Sequence, residues 1–171
     1  MKVVLFMACT LNGFIARKNG EEDFLEDDNW TEFSKLAEKC SGIIVGRKTY
    51  QIVQRWKNYN FDNIDAKKII VSRNSKLKLS VDKIYASSPQ EALTLAEKMG
   101  IKVVLLAGGG ELNFSFLKNN LIDEIIVNIN PFLLGRGIKI FSEYEFEKKL
   151  KLIAVKNFSS DIIQLHYKLK R

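Results

Sequence analysis

The chain has 171 residues, 46% of them hydrophobic, with only two prolines and 27 basic against 20 acidic side chains for a formal net charge of +7. That composition excludes a disordered chain and suits one domain with a sizeable core, while the positive charge favours anionic ligands such as a nucleotide, a phosphorylated substrate or nucleic acid. Two cysteines, Cys9 and Cys40, each among apolar neighbours, make no disulfide framework and fit a reducing, cytoplasmic setting.

In chain order, residues 2–9 read as a buried strand, too short to span a membrane or to act as a signal peptide. Asn12-Gly13 marks a turn before a short apolar piece ending at Ala16. Over 30–39 the spacing of Trp30, Phe33, Leu36, Ala37 and Cys40 predicts one helical face. Residues 42–45 form a short buried strand that ends in Gly46-Arg47-Lys48-Thr49, where a helix running to Val53 begins. Segments 68–72 and 83–86 are further strands. Ser88-Pro89-Gln90-Glu91 is a capping box with proline at the first helical position, and Gly100 supplies the stop. Residues 103–106 predict a buried strand, followed by Ala107, three glycines, and a helix that starts near Glu111-Leu112 and runs to Leu117. The last four strand-like segments are 122–129, 138–141, 152–158 and 162–169. The early part therefore reads as mixed and mostly parallel, with an antiparallel end.

Gly108-Gly109-Gly110 carries the most chemistry. Three glycines between a strand and a helix let the backbone come close to a ligand and leave bare amides at a helix N-terminus, which favours an anion. The spacing is not the usual dinucleotide fingerprint, because Asn113 stands where the third glycine is needed. Gly46-Arg47-Lys48-Thr49 and Val71-Ser72-Arg73 also follow short apolar strands and offer donors or positive charge. Ligands of open α/β sheets sit beyond the carboxyl ends of strands, so these three ends are expected to meet on one extended anion.

These segments resemble the dihydrofolate-reductase-like fold, and within it the C-terminal reductase domain of bifunctional riboflavin-biosynthesis enzymes. Ala8-Cys9-Thr10-Leu11-Asn12-Gly13-Phe14-Ile15-Ala16 looks like the family's S-L-D-G-x-I-A segment with Thr and Asn in place of Ser and Asp. The stretch from Ala107 to Gly137, with G-G-G-E-L, L-x-D-E and P-x-x-L-G-x-G in order, is the most specific part. The resemblance implies a single α/β domain over 1–171, with a central, mostly parallel mixed sheet, antiparallel C-terminal strands and helices on both faces. It also implies an NADPH-dependent reductase. Ala8 and Ile15 would hold the nicotinamide carboxamide through their backbone, and Leu11, Asn12 and Gly13 would form a mobile loop over the ring. Gly46, Arg47, Lys48 and Thr49 would lie at the phosphates, while Val71, Ser72 and Arg73 would face the adenine ribose and its 2′-phosphate. Ala107 to Leu112, through Gly108, Gly109, Gly110 and Glu111, would cradle the pyrophosphate, with a cis peptide within the glycines. The resemblance also leaves a homodimer open.

In dihydrofolate reductases a carboxylate on the first long helix binds the substrate ring, and counting back from Gly46 brings that slot to Trp30, with Asp27 and Asp28 beside it. Asp27 is the catalytic candidate, and Phe24, Asp28 and Trp30 are the candidate substrate contacts. The alternative is that Glu26, Asp27 and Asp28 only favour the helix N-terminus through its dipole. Asp23-Phe24 resembles the acidic-aromatic pair of the riboflavin-type branch, which tilts the expected substrate towards a ribosylamino-pyrimidine or a pterin, as in 5-amino-6-(5-phosphoribosylamino)uracil reductases. True dihydrofolate reductase and a non-catalytic nucleotide-binding regulator remain the alternatives. His166, the one histidine, is expected to be a strand residue with no metal, Cys9 a core residue, and Asp123-Glu124 structural. Basic clusters without interleaved aromatics give no expectation of a nucleic-acid partner.

Overall fold

The computed structural model describes residues 1–74 and 83–170. The first strand, β1 (Lys2–Thr10), is buried from Val3 to Thr10, as a strand must be when both faces of its sheet are covered. Its side chains alternate between two cores. Val3, Leu5, Met7 and Cys9 enter one, and Val4 and Phe6 the other. Leu112 and Phe116 of α4 (Gly110–Lys118) and Ala92 and Ala96 of α3 (Pro89–Lys98) close the first core. Phe33 and Ala37 of α1 (Asp27–Cys40), with Tyr50 and Val53 of α2 (Arg47–Val53), close the second. The helices thus lie on both faces, as expected.

The remaining strands are β2 (Phe14–Ala16), β3 (Gly42–Gly46), β4 (Lys67–Val71), β5 (Ile84–Ala86), β6 (Val103–Leu106), β7 (Glu124–Asn130), β8 (Ile138–Lys139), β9 (Leu150–Asn157) and β10 (Ile163–Leu169). The main sheet has the order β5-β4-β3-β6-β1-β7-β10-β9. The pairs from β5 to β7 are parallel, whereas β10 runs antiparallel to both β7 and β9. This is the mostly parallel sheet with an antiparallel end that the chain order implied.

Three expectations need correction. Strand 138–141 shrinks to Ile138–Lys139, and it pairs with β2 in a separate two-stranded ribbon rather than joining the main sheet. Ile140 and Phe141 instead pack on the first core. Helix α1 starts three residues before Trp30, at Asp27, with Glu26 as an N-cap whose side chain makes no cap hydrogen bond. In the capping box of α3 the Ser88 hydroxyl accepts from the Glu91 amide at 3.2 Å, but the Glu91 carboxylate returns to the amide of Ser87, at 2.7 Å, rather than to that of Ser88. Gly100 ends that helix at φ +76°, a conformation that excludes most side chains.

Candidate active site

The sheet contains a notch. β1 pairs with β6 only from Lys2 to Leu5, because β6 ends at Leu106 and the chain turns away through the glycines, while β1 continues to Thr10. Beyond Leu5 the edge of β1 that faced β6 is therefore open. The neighbouring ends are locked together. The Ala107 amide donates to the Ile44 carbonyl at 2.8 Å, the Gly46 amide to the Gly108 carbonyl at 2.8 Å, and the Ser72 amide to the Ala86 carbonyl at 2.9 Å. In register, Gly46 stands beside Val71 and Val71 beside Ala86. The three strand ends expected to share a ligand are thus side by side.

The glycine turn occupies close quarters. The Gly108–Gly109 peptide is cis, in agreement with the resemblance. A Cβ on Gly109 would come 3.1 Å from the Thr49 hydroxyl oxygen and 4.0 Å from Ile15 Cδ1, and one on Gly108 would stand 3.1 Å from Met7 Sδ. A Cβ on Gly110 would run into the Lys139 carbonyl. Gly110 is therefore required by the packing of α4 on the β8 segment, whereas Gly109 keeps open a space bounded by Thr49 and Ile15. As first residues of α4, Gly110 and Glu111 have amides with no intrahelical acceptor.

On the α1 side of the sheet this notch opens into a cavity of about 540 Å³, within the range of small-ligand sites. Met7, Ala8, Thr49 and Ala107 line one end, and Trp30, Trp56, Tyr59 and Phe61 form aromatic walls. Trp30 lies 5.2 Å from Tyr59 and 5.6 Å from Phe61, ring centre to ring centre. A second depression, near Ser41, Lys67 and Val103 at the amino ends of the strands, lies at the wrong end of the sheet for a ligand of this architecture.

Carboxyl groups gather around the first cavity. Asp27, on the first turn of α1, lines it and accepts a short hydrogen bond from the Tyr59 hydroxyl; that bond pushes the tyrosine's pKa up to about 12. Asp28 is exposed and takes no part in the lining. Asp23 is held by Arg17 at 2.5 and 3.1 Å, and this guanidinium keeps its carboxyl below the usual range. Glu22 lines the cavity too, and burial raises its carboxyl to about pKa 8. Nothing in its sequence surroundings singles out Glu22, which reads as part of a solvated acidic run, Glu21-Glu22-Asp23.

Other predicted residues lie around this centre. Arg47 is half-buried and donates to Gln51 at 2.9 Å, while Lys48, Arg73 and Glu111 are exposed. Leu112 is buried in the core. Phe24 stands outside the cavity lining, stacked on Phe132 at 5.4 Å. The 11–13 loop is tied to the loop before β8: the Leu11 amide donates to the Phe132 carbonyl at 2.9 Å, and Asn12 both donates to the Leu134 carbonyl at 2.8 Å and accepts from the Leu134 amide at 3.2 Å.

A buried amide network anchors α1 to the sheet under the cavity. Asn29 donates to Asn130 at 2.9 Å and accepts from Asn128 at 3.0 Å, and Gln164 donates to Asn128 at 3.0 Å. Sequence periodicity missed it, because asparagines in a helix and a strand carry no sign that they will face each other. The network fixes the first turn of α1, and with it Asp27 and Trp30. His166 bonds Glu124 at 2.9 Å, Asp123 accepts from the Val3 amide at 2.9 Å, and burial pushes the Cys9 thiol up to about 11, which leaves it unreactive. Among the described residues no group of three or more His, Cys, Asp or Glu is placed to hold a metal ion, and no helix is long and apolar enough to cross a membrane.

Comparison with known proteins agrees with this layout. The family model of the RibD C-terminal domain matches residues 1–164. YwjB, an uncharacterized protein of Bacillus subtilis (strain 168), is 31% identical over 97% of both chains. The 2,5-diamino-6-ribosylamino-4(3H)-pyrimidinone 5′-phosphate reductase of Methanothermobacter thermautotrophicus is 24% identical over 78% of this chain and 79% of its own. The crystal structure of a putative riboflavin biosynthesis protein from Shewanella sp. PV-4 superposes with a TM-score of 0.81, at 26% identity and full coverage of both chains. With its sheet order, its glycine turn and its notch beside β1, this chain belongs to the RibD C-terminal domain family.

Proposed function

We propose that this protein is an NADPH-dependent reductase of a pyrimidine- or pterin-like heterocycle. The observation that carries the reading is the notch at the carboxyl ends of β1, β3 and β6, where the space beside Gly109 is one that a single Cβ would fill. The reductase activity named for the Methanothermobacter relative supports the same class of reaction. The residues present fit a dinucleotide. The glycine turn and the first amides of α4 would take the pyrophosphate. Thr49, Arg47 and Lys48 would reach the phosphates from the start of α2, and Ser72 and Arg73 would face the 2′-phosphate from the end of β4. Ala8 and Ile15 would hold the carboxamide, and the cavity beyond them would hold the acceptor ring.

NADPH supplies a hydride when bound. The chain's part is to align the acceptor, exclude water and provide the proton that completes the reduction. The aromatic walls Trp30, Tyr59 and Phe61 orient a flat ring, Asp27 holds the Tyr59 hydroxyl in place, and Glu22 carries a proton on its carboxyl near neutral pH, as a general acid must.

Cofactor choice tests the reading with the fewest assumptions about substrate. Cations and hydroxyl donors stand at the ends of β3 and β4, where an NAD site would offer a carboxylate to the ribose 2′-hydroxyl. One charge-assisted contact is worth roughly 1.5–3 kcal/mol. NADPH should therefore bind about ten- to a hundredfold more tightly than NADH, and Arg73→Ala should close the gap by weakening NADPH alone. Equal dissociation constants for the two cofactors, read from nicotinamide fluorescence, would remove the assignment.

A further inference from the structure

The sign of the charge around the acceptor cavity separates it from the dinucleotide notch. The chain as a whole carries +7, yet its carboxylates concentrate here. Glu21, Glu26 and Asp27 line the cavity, Asp23 is paired with Arg17, and among the described residues Lys57 is the single cationic lining residue. Deeper in, Glu22 lines the cavity with no hydrogen bond or ion pair to its side chain among the described residues. Arg47, Lys48 and Arg73, by contrast, stand at the ends of β3 and β4, outside this lining. A phosphate ester entering the cavity would leave water to face three carboxylates across one lysine, which is repulsive at such range in a partly dry site. The walls, Trp30, Trp56, Tyr59 and Phe61, offer stacking surface, and the carboxyl groups accept from ring N–H groups or an exocyclic amine.

On the reading of this site as a reductase, we propose that its acceptor is a flat, nitrogen-rich heterocycle bearing no phosphate or other anionic group, so that the protein acts on a free base or nucleoside rather than on a nucleotide. Selection comes from repulsion at the mouth, through Glu21, Glu26 and Asp27, and not from a lost contact within. The ribosyl phosphate named for the Methanothermobacter relative would then be disfavoured here by the same residues that hold the ring.

Both tryptophans of the chain, Trp30 and Trp56, line this cavity, so intrinsic fluorescence reports directly on its occupancy. The probes are 5-amino-6-ribosylaminouracil and its 5′-phosphate, titrated into the full chain. The nucleoside should quench tryptophan emission with a dissociation constant at least about tenfold below that of the phosphate. The double variant Glu21→Gln, Glu26→Gln should reduce this ratio to about threefold or less, chiefly by improving the phosphate. Glu26 makes no side-chain cap bond and Glu21 is exposed, so the variant keeps the fold, and far-UV circular dichroism checks that it does. Equal or tighter binding of the phosphate, a ratio unmoved by the double variant, or no quenching by either probe overturns the proposal. NADPH binding, measured separately through nicotinamide fluorescence, reports on the reductase reading. Tight NADPH binding beside a preference for the phosphate ester overturns the charge argument alone, whereas absent NADPH binding overturns the reductase reading.

Discussion

Glu22 ties pH to stability and, as the proposed proton donor, to the reaction. Its carboxyl titrates near 8 in the fold, against an ordinary value of 4.5, because burial penalises the charge. Between those values the folded chain holds a proton that the unfolded chain has lost. Stability therefore falls as pH rises through that window, and the full penalty applies above 8. Glu22→Gln keeps the shape without the charge, so it should flatten the slope and gain on the order of 1–4 kcal/mol at pH 8.5 while changing little at pH 4. If the carboxyl also delivers the proton, turnover in the same variant should fall by about 10²-fold or more with NADPH affinity intact. Thermal unfolding at the two pH values tests the first effect, and an unchanged slope would show that Glu22 ionises normally. At the glycine turn two neighbours part company. Gly109→Val places bulk against Thr49 and Ile15 and should abolish NADPH binding in a folded protein, as circular dichroism and nicotinamide fluorescence together would show. Gly110→Ala meets the Lys139 carbonyl, so its main effect should be a loss of stability, about 1–3 kcal/mol, rather than a selective loss of cofactor.

At the scale of elements, what was legible was local. The buried run of β1, the capping box of α3 and the strand-turn-helix at the glycines are each written within a dozen neighbouring residues, and each formed, the capping box with its return bond moved to the Ser87 amide. The adjacency of the residues proposed for the cofactor was legible too, since they sit at strand ends that the sheet order brings together. Of the proposed acceptor half only Asp27 and Trp30 were legible, because the rest is assembled across distance. Glu22, whose pKa burial raises, shares its cavity with α1 and with the segment around Trp56 and Tyr59, and Asn29, Asn128 and Gln164 find each other only after the helix has docked on β7 and β10. The network gives α1 a polar anchor that an apolar periodicity cannot describe. Asn128→Leu would leave Asn29 Oδ1 and Gln164 Nε2 without their partner in a buried setting, at a cost of about 1–3 kcal/mol for each group. Urea unfolding should show that loss, and acceptor binding should weaken beyond it, because the first turn of α1 carries Asp27 and Trp30. A variant as stable as the parent would mean that water replaces the amide.

Across the whole molecule the antiparallel end of the sheet is left uncovered. β9 is its outermost strand, and its pairing with β10 is interrupted: Val155 stands opposite Leu165 and Ala154 opposite His166, but Leu152 stands opposite Tyr167, so Ile153 is an extra residue in the ladder. The bulge resets the alternation. Leu150, Leu152 and Val155 come to one face together with Ile163, and these four side chains are between 41 and 55% exposed. Lys151 and Lys156 fall on the other face, opposite Lys168 and Gln164. An apolar stripe on one face of an edge strand, with lysines on the reverse, deters edge-to-edge aggregation yet invites face-to-face packing. We propose that a second copy of the chain covers it, giving a homodimer. Because each copy carries +7, repulsion opposes the contact at low ionic strength and is screened within about 8 Å at 0.15 M salt. Sedimentation equilibrium should therefore show a dimer that tightens between 20 and roughly 200 mM salt, and Leu152→Glu with Val155→Glu should give a monomer that still binds NADPH, since the stripe lies at the far end of the sheet from β3 and β4. A parent chain that stays monomeric at high protein concentration in both salts would leave the stripe without this partner.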